Sequence, residues 1–157
     1  MLYLVDSSIL IDAKRQYYQF YRVPEYWKWL EFHAKDGKIK IPWQIFEEVT
    51  IKSKEKDQLD VWVRKNKDIL VLDESISEQI FKDVIDKGYA PDLSDSEYEK
   101  LGGDPFLIAY ALSSKQDRII VTSETSKSSL KREKRMIPNV CETFGIRCVK
   151  QWELIEE

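Results

Sequence analysis

The chain has 157 residues, of which 43% are hydrophobic and 34% charged, and its net charge at pH 7 is −3. This composition excludes a disordered chain, and the length predicts one domain over residues 1–157 with a substantial core. No apolar stretch approaches the roughly 20 residues that cross a bilayer, and the first residues lack a signal-peptide pattern, so we expect a cytoplasmic protein without membrane contact.

Short apolar strands alternate with helical segments along the chain. The predicted strands are, in order, Leu2–Asp6, Ile39–Ile41, Arg118–Thr122 and Arg147–Val149. The predicted helices are a first one through Ile11 capped by Ser7 or Ser8, then Tyr26–Ala34 opened by Pro24, Gln44–Lys52, Gln58–Lys65, Ser75–Lys87, one opened by Asp104-Pro105, and Pro138–Phe144. Ile69–Leu72 is a short apolar run, and Pro91–Gly103 is predicted to be a polar loop that has room for one helical turn.

This alternation predicts the fold class. Strands separated by helical segments of ten or more residues form a parallel sheet, because a parallel connection must cross over the sheet. We therefore expect an α/β fold with a central parallel sheet of about four to five strands and helices on both faces.

Acidic residues occur where this fold places ligands, outside the carboxyl ends of the strands. Asp6 ends the first strand, and Glu47 and Glu48 lie in the helix after the second. Asp104 begins its helix, and Glu124 follows the third strand. We expect four acidic positions near one edge of the sheet.

Carboxylates must carry most of any chemistry in this chain. There is one histidine, His33, and the two cysteines, Cys141 and Cys148, match no zinc-binding spacing. Several clustered carboxylates repel one another unless a cation offsets the repulsion, and Mg²⁺ and Mn²⁺ prefer oxygen ligands. Such ions activate water and stabilise a phosphate during displacement, so the pattern favours metal-dependent phosphodiester chemistry.

Each acid also has an ordinary structural interpretation. Asp6 and Asp104 occupy positions that favour helix caps, since carboxylates are stabilised at helix N-termini. Glu124 fits a solvated loop. These alternatives stay open for each acid taken singly, and it is the order of the four along the chain that favours a joint site.

Two basic clusters and a set of aromatic residues leave similar alternatives. Lys127, Lys131, Arg132, Lys134 and Arg135 form one cluster. They either contact RNA phosphates or belong to a solvated loop. Lys52, Lys54 and Lys56 form the second cluster. The aromatic residues either stack on bases or, as we expect for most, belong to the core or a partner surface; they are Tyr17, Tyr18, Tyr21, Trp27, Trp29 and Trp43.

The order of the four acids resembles the PIN domain family. The segments that carry the resemblance are Tyr3-Leu-Val-Asp-Ser-Ser-Ile-Leu-Ile-Asp12, Ile41-Pro-Trp-Gln-Ile-Phe-Glu-Glu-Val49, Gly103-Asp-Pro-Phe-Leu-Ile-Ala-Tyr-Ala111 and Ile119-Ile-Val-Thr-Ser-Glu124. The basic segment and the following Ile137-Pro-Asn-Val-Cys141 are similar to a bacterial PIN-like subgroup that resembles VapC-type toxins.

This resemblance implies a PIN-like ribonuclease that uses Mg²⁺ or Mn²⁺. By the resemblance Asp6, Glu48, Asp104 and Glu124 are the metal ligands and catalytic residues, with Glu47 as the neighbour of the better match Glu48. Glu124 departs from the family, which more often has aspartate there, so its longer side chain reaches an ion differently.

The resemblance also implies supporting residues and partners. Ser8 or Thr122 would orient a carboxylate or a water by hydrogen bonding. The partners would be an RNA substrate and a cognate antitoxin of a type II toxin–antitoxin system, and family members are often homodimers.

Two other classes compete with this interpretation. One is a PIN-fold module that binds protein or RNA without cutting, in which the acids serve as caps. The other is an aspartate-nucleophile phosphotransferase, which also places an aspartate after a first strand. A haloacid-dehalogenase-like enzyme requires a second aspartate two residues after Asp6, where this chain has Ser8.

Overall fold

Four parallel strands form the centre of the computed structural model, which describes residues 1–52 and 57–157. The strands are β1 Leu2–Val5, β2 Ile39–Lys40, β3 Arg118–Val121 and β4 Cys148–Val149. Their spatial order is β2-β1-β3-β4, and every pairing is parallel. The predicted α/β class with a central parallel sheet is therefore confirmed. Lys54 and Lys56 of the second basic cluster lie outside the described residues.

Helices connect and cover the strands. Within the described ranges they are α1 Ser7–Asp12, α2 Pro24–Lys35, α3 Trp43–Lys52, α4 Gln58–Lys65, α5 Lys67–Leu70, α6 Glu78–Asp83, α7 Asp95–Lys100, α8 Asp104–Leu112, α9 Ile137–Phe144 and α10 Gln151–Glu156. Ala13–Tyr17 and Val84–Tyr89 form π-helical turns, and Arg132–Lys134 forms a 3₁₀ turn. Across the described part of the chain, no helix combines the length and apolar character needed to cross a membrane.

The sheet is buried on both faces. In β3 the successive residues Ile119, Ile120 and Val121 are all at most 1% exposed, and successive strand residues point to opposite faces. Helix α8 is buried around most of its circumference, since five consecutive residues, Leu107–Ala111, are buried. An all-round apolar helix belongs in the interior, and this packing fixes the N-terminus of α8 beside the sheet.

Two helices begin where the sequence prediction did not place them. The predicted helix Ser75–Lys87 begins as α6 at Glu78, because Ser77 Oγ accepts the Ile80 N–H at 3.2 Å. The predicted loop contains α7, where Ser94 and Glu97 form a reciprocal capping box. Both starts follow the serine-cap rule.

The serine cap predicted for the first helix is wrong. Asp6 occupies the N-cap position of α1, with ψ at 152°, and its side chain makes no capping hydrogen bond. Ser7 and Ser8 lie in the first turn, and their hydroxyls donate to carboxylates instead of to the helix backbone. The first turn of α1 is therefore built around acidic side chains.

The apolar run Ile69–Leu72 forms only the edge of the sheet. Ile69 and Leu70 belong to the short helix α5, and Val71 forms a single parallel bridge with Ile41. The run is divided because α5 occupies its first half and leaves too few residues for a longer strand.

Candidate functional site

All four acids predicted as ligands line one cavity of about 470 Å³. This acid cavity is lined by Asp6, Ser7, Ser8, Ile11, Asp12, Glu48, Lys100, Leu101, Gly102, Asp104 and Glu124. Asp6 directly follows β1, and Glu124 comes three residues after the end of β3, the neighbouring parallel strand. The cavity therefore lies at the carboxyl edge of the sheet, where open α/β folds bind ligands.

Asp6 is the most buried of the four acids, with 3% of its surface exposed. Its Oδ2 accepts hydrogen bonds from Ser8 Oγ at 2.5 Å and from Thr122 Oγ1 at 2.9 Å. Burial raises the pKa of Asp6 above its ordinary value, against the lowering effect of the two hydroxyl donors, and the Glu48 charge raises it further. This carboxylate is thus held in place but poorly solvated, a combination typical of functional sites.

Glu48 is held against the backbone that precedes α8. Its Oε2 accepts from Ser7 Oγ at 3.0 Å, and its Oε1 accepts the Gly103 N–H at 2.6 Å. A Cβ on Gly102, which has φ of +57°, would lie 2.5 Å from Glu48 Oε1. A Cβ on Gly103 would lie 3.2 Å from the same oxygen. The absence of side chains at both glycines therefore makes room for the close approach of the carboxylate and the backbone.

Asp104 is the first residue of α8, and Gly103 occupies the N-cap position. The Gly103 N–H at this helix end donates to Glu48 Oε1. Pro105 follows in the first turn, where its missing N–H leaves no donor unsatisfied. Asp104 is half-buried and lines the acid cavity, so its position combines a helix N-terminus with access to the site.

Glu124 joins the cavity to the start of α9. Its Oε2 accepts the N–H of Ile137, the first residue of α9, at 2.8 Å, and its own N–H donates to Thr122 Oγ1 at 3.2 Å. Burial raises the pKa of Glu124, the Ile137 N–H lowers it, and the charge of Asp6 raises it. Glu124 therefore contributes to the cavity and also fixes the far end of the basic segment that it precedes.

Glu47 does not join the acid cavity, since it is exposed on α3 while Glu48 faces the site.

The basic segment, residues 127–135, contains two arginines whose side chains bind protein acceptors. Arg132 forms ion pairs with Asp92 and Glu97, and Arg135 donates to backbone carbonyls that include that of Gly88.

Three lysines of the basic segment project to the surface. Lys127, Lys131 and Lys134 are exposed. They remain predicted phosphate contacts, whereas the hydrogen bonds of Arg132 and Arg135 give those two side chains a role in holding the segment.

Two residues that the sequence did not indicate, Lys100 and Asp12, also line the acid cavity. Tyr89 is not among the lining residues; it is 7% exposed, and its hydroxyl has no hydrogen-bond partner among the described residues. Burial raises the pKa of Tyr89 well above its ordinary value, with the charge of Asp104 as the next cause. The Gly102-Gly103 pair before Asp104 is the one sequence signal that pointed to a crowded backbone there.

The donor set has the chemistry that a hard divalent cation requires, because it consists of carboxylate oxygens around one cavity. As placed, however, no three or more acidic, histidine or cysteine side chains within residues 1–52 and 57–157 are grouped to hold an ion. Instead Ser8, Thr122, Ser7 and the N–H groups of Gly103 and Ile137 bind the carboxylate oxygens. The residues fit such an ion in type and location, and binding it requires the carboxylates to exchange some of these donors.

The fold and the cavity define an α/β protein with an acid-lined site at the carboxyl edge of a parallel sheet. A family model described as "Domain of unknown function (DUF4411)" matches residues 3–157, and the chain belongs to this family. Neither the curated proteins nor the solved structures gave a match.

Proposed function

We propose that the protein is a PIN-like, Mg²⁺- or Mn²⁺-dependent endoribonuclease that hydrolyses RNA phosphodiester bonds. One observation carries this proposal: acids from four separate segments of the chain line a single cavity. The resemblance of their order to the PIN domain supports the same function. That resemblance further supports a toxin of a type II toxin–antitoxin system, with a cognate antitoxin and a second copy of the chain as partners.

The four acids share one role in this proposal. Asp6, Glu48, Asp104 and Glu124 would hold the cation. A bound Mg²⁺ or Mn²⁺ supplies a water of lowered pKa and a positive charge for the phosphate. Ser8 and Thr122 orient the Asp6 carboxylate.

The surroundings of the acids contribute orientation and binding. Ser7 and the Gly103 N–H hold Glu48 on the side of the cavity formed by α3 and the N-terminus of α8. Lys100 brings a positive side chain to the same cavity, and we assign it to a phosphate oxygen of the RNA, since lysine is a common phosphate contact.

A single-turnover RNA cleavage assay with Mg²⁺ or Mn²⁺ tests the proposal. We expect Asp6→Asn and Asp104→Asn to slow cleavage by about 100-fold or more, because each removes a charged ligand of the ion. Asp68→Asn is the matched control, since Asp68 is exposed on α5 and outside the acid cavity. Equal cleavage by wild type and all three variants would overturn the catalytic assignment.

A second candidate is a PIN-fold module that binds RNA or protein without cutting it. The observation that favours it is the satisfaction of the carboxylates by protein donors, such as the Gly103 N–H on Glu48. This alternative predicts RNA binding without cleavage in the same assay, and equal RNA binding by the wild type and Asp104→Asn.

A further inference from the structure

A second cavity, of about 300 Å³, is lined in part by Ser123, the chain neighbour of the acid-cavity residue Glu124. This aromatic cavity is lined by Tyr17, Tyr18, Ser123, Lys150, Gln151 and Trp152. We infer that it binds one unpaired base of the RNA strand whose phosphodiester bond lies in the acid cavity. The inference rests on the proposed ribonuclease function for the identity of the ligand.

Hydrogen bonds place the two cavities side by side. The N–H of Ser123, which lines the aromatic cavity, donates to Ser8 Oγ at 3.2 Å, and Ser8 lines the acid cavity. Lys150 Nζ also donates to the backbone carbonyl of Ser123 at 3.1 Å and to that of Glu124. Lining residues of the two cavities are therefore in direct contact, and we expect a nucleotide next to the one in the acid cavity to reach the aromatic rings.

The aromatic rings are available for stacking. Tyr17 is 62% exposed and Trp152 is 60% exposed. A single exposed aromatic residue is ordinary in a folded protein, but these two line the same concave site from different elements, the π-helical turn and α10. Aromatic side chains of this kind bind successive bases in single-stranded nucleic acids with little sequence preference.

Contacts with neighbouring residues hold two lining residues of the aromatic cavity, Tyr18 and Gln151. The Tyr18 ring stacks on the Tyr26 ring at a centroid distance of 4.2 Å and an angle of 11°. The Tyr18 carbonyl accepts the Trp27 indole N–H at 2.6 Å, and Gln151 Nε2 donates to the Tyr26 hydroxyl at 2.5 Å. A preorganised site loses less entropy when it binds.

The size and polarity of the cavity favour a base over a protein partner. A stable protein interface covers about 800 Å² on each partner and is usually flat, whereas small ligands occupy concave sites of roughly 300–1,000 Å³ with a few polar groups. Here Ser123, Lys150 and Gln151 are the polar groups beside the rings. A heterocycle with an apolar face and hydrogen-bonding edges matches this arrangement.

The test measures binding of a labelled short single-stranded RNA by fluorescence anisotropy in EDTA, where no cleavage interferes. We expect Tyr17→Leu and Trp152→Leu each to weaken binding about 5- to 150-fold, the range for loss of one stacked base. Tyr17→Phe and Trp152→Phe, which keep a ring, should retain most of the affinity. Phe32→Leu is the matched control, since Phe32 is 64% exposed and lies outside the cavity.

A set of RNAs, each with one abasic nucleotide, identifies the ligand group. When the abasic nucleotide replaces the stacked one, RNA binding to the wild type should weaken. The same RNA should bind Trp152→Leu as tightly as the intact RNA does, since that variant has already lost the stacking contact. Unchanged affinity of both leucine variants would overturn the inference, as would an equal loss in Phe32→Leu. A changed oligomeric state of the leucine variants with unchanged RNA affinity would assign the surface to a protein contact and also overturn it.

The binding assay and the cleavage assay fail independently. If the wild type binds RNA through the aromatic cavity but does not cleave it with Mn²⁺, the proposed function fails and the base site stands. If cleavage depends on Asp6 and Asp104 while Tyr17→Leu and Trp152→Leu bind RNA like the wild type, the base site fails and the proposed function stands.

Discussion

Asp6 lies where desolvation and hydrogen bonding act against each other on one carboxyl group. Two hydroxyls donate to it, from Ser8 and Thr122, yet burial is the largest influence and raises its pKa. The folded protein therefore binds a proton at Asp6 more tightly than the unfolded chain does. The tighter proton binding at Asp6 stabilises the folded state fully when the pH is below the ordinary aspartate pKa of 3.8. This stabilisation is lost as the pH rises through the higher pKa of Asp6 in the folded state.

This balance predicts that Asp6→Asn stabilises the protein in the absence of divalent ions. At neutral pH we expect a gain of about 1 kcal/mol in the free energy of unfolding, because the neutral amide avoids the cost of a buried charge. The gain should shrink as the pH falls through the raised folded-state pKa of Asp6 and should be lost below the ordinary value of 3.8, because the wild-type carboxyl is then protonated. Urea unfolding over a pH series, in EDTA, measures both effects. A variant less stable than the wild type at neutral pH would contradict this account of Asp6.

Gly102 and Gly37 form a natural pair for testing the contact of Glu48 with the backbone. Both have positive φ, +57° and +73°, so alanine is strained at either position. A Cβ at Gly37 would meet nothing within 4 Å, whereas one at Gly102 would lie 2.5 Å from Glu48 Oε1.

We therefore expect Gly37→Ala to cost about 1 kcal/mol in the free energy of unfolding, from backbone strain alone. Gly102→Ala should cost about 1–2 kcal/mol more, because it also displaces the Glu48 carboxylate. Chemical denaturation of the two variants gives the comparison. Equal costs would mean that Glu48 does not depend on the glycine for its position.

At the scale of elements, the site depends on how strand ends meet helix starts. Asp6 links β1 to α1, Asp104 begins α8, and Glu124 follows β3 and binds the first N–H of α9. The last contact gives Glu124 two functions, since a carboxylate at a helix N-terminus stabilises the helix whether or not it binds an ion. Substitutions that keep or remove the acceptor can separate these functions.

Glu124→Ala is expected to lower the free energy of unfolding by about 1 kcal/mol, the usual cost of losing an N-terminal acceptor. Glu124→Gln keeps an oxygen acceptor for the Ile137 N–H, so it should lose less stability while removing the charge. Trypsin cleavage at the exposed Lys131 and Lys134 should become faster in Glu124→Ala than in Glu124→Gln, because their segment is attached at that contact. Equal cleavage rates for the two variants would show that the contact does not hold the segment.

The elements themselves were largely readable from the sequence. The sequence predicts the apolar stretches of β1 and β3 and the bounds of α4. In these segments the spacing of the apolar residues and the polar residues that flank them indicate the same element. Helix α7 could not, since its six residues, Asp95–Lys100, include none that is buried, and only the capping box marks it. Serine is a common cap, so the sequence predicts a serine cap for α1, but both serine hydroxyls donate to acids.

For the molecule as a whole, the positions of the acids were predictable and their environment was not. Parallel topology brings the carboxyl ends of β1 and β3 together, so the joint position of Asp6 and Glu124 follows from chain order. The contact of Glu48 with Gly103 and the buried hydroxyl of Tyr89 depend on side-chain packing between distant segments. No local pattern in a single sequence contains that information.

The proposed function requires the four carboxylates to act together as one divalent-ion site. Calorimetric titration of the purified protein with Mn²⁺ tests it directly, using Asp6→Asn, Glu48→Gln and Asp104→Asn beside the control Asp68→Asn. We predict saturable binding by wild type and Asp68→Asn, and binding at least about tenfold weaker in each of the other three, since each loses a charged ligand. No saturable binding by the wild type at millimolar Mn²⁺, or equal affinity in all five proteins, would contradict the claim.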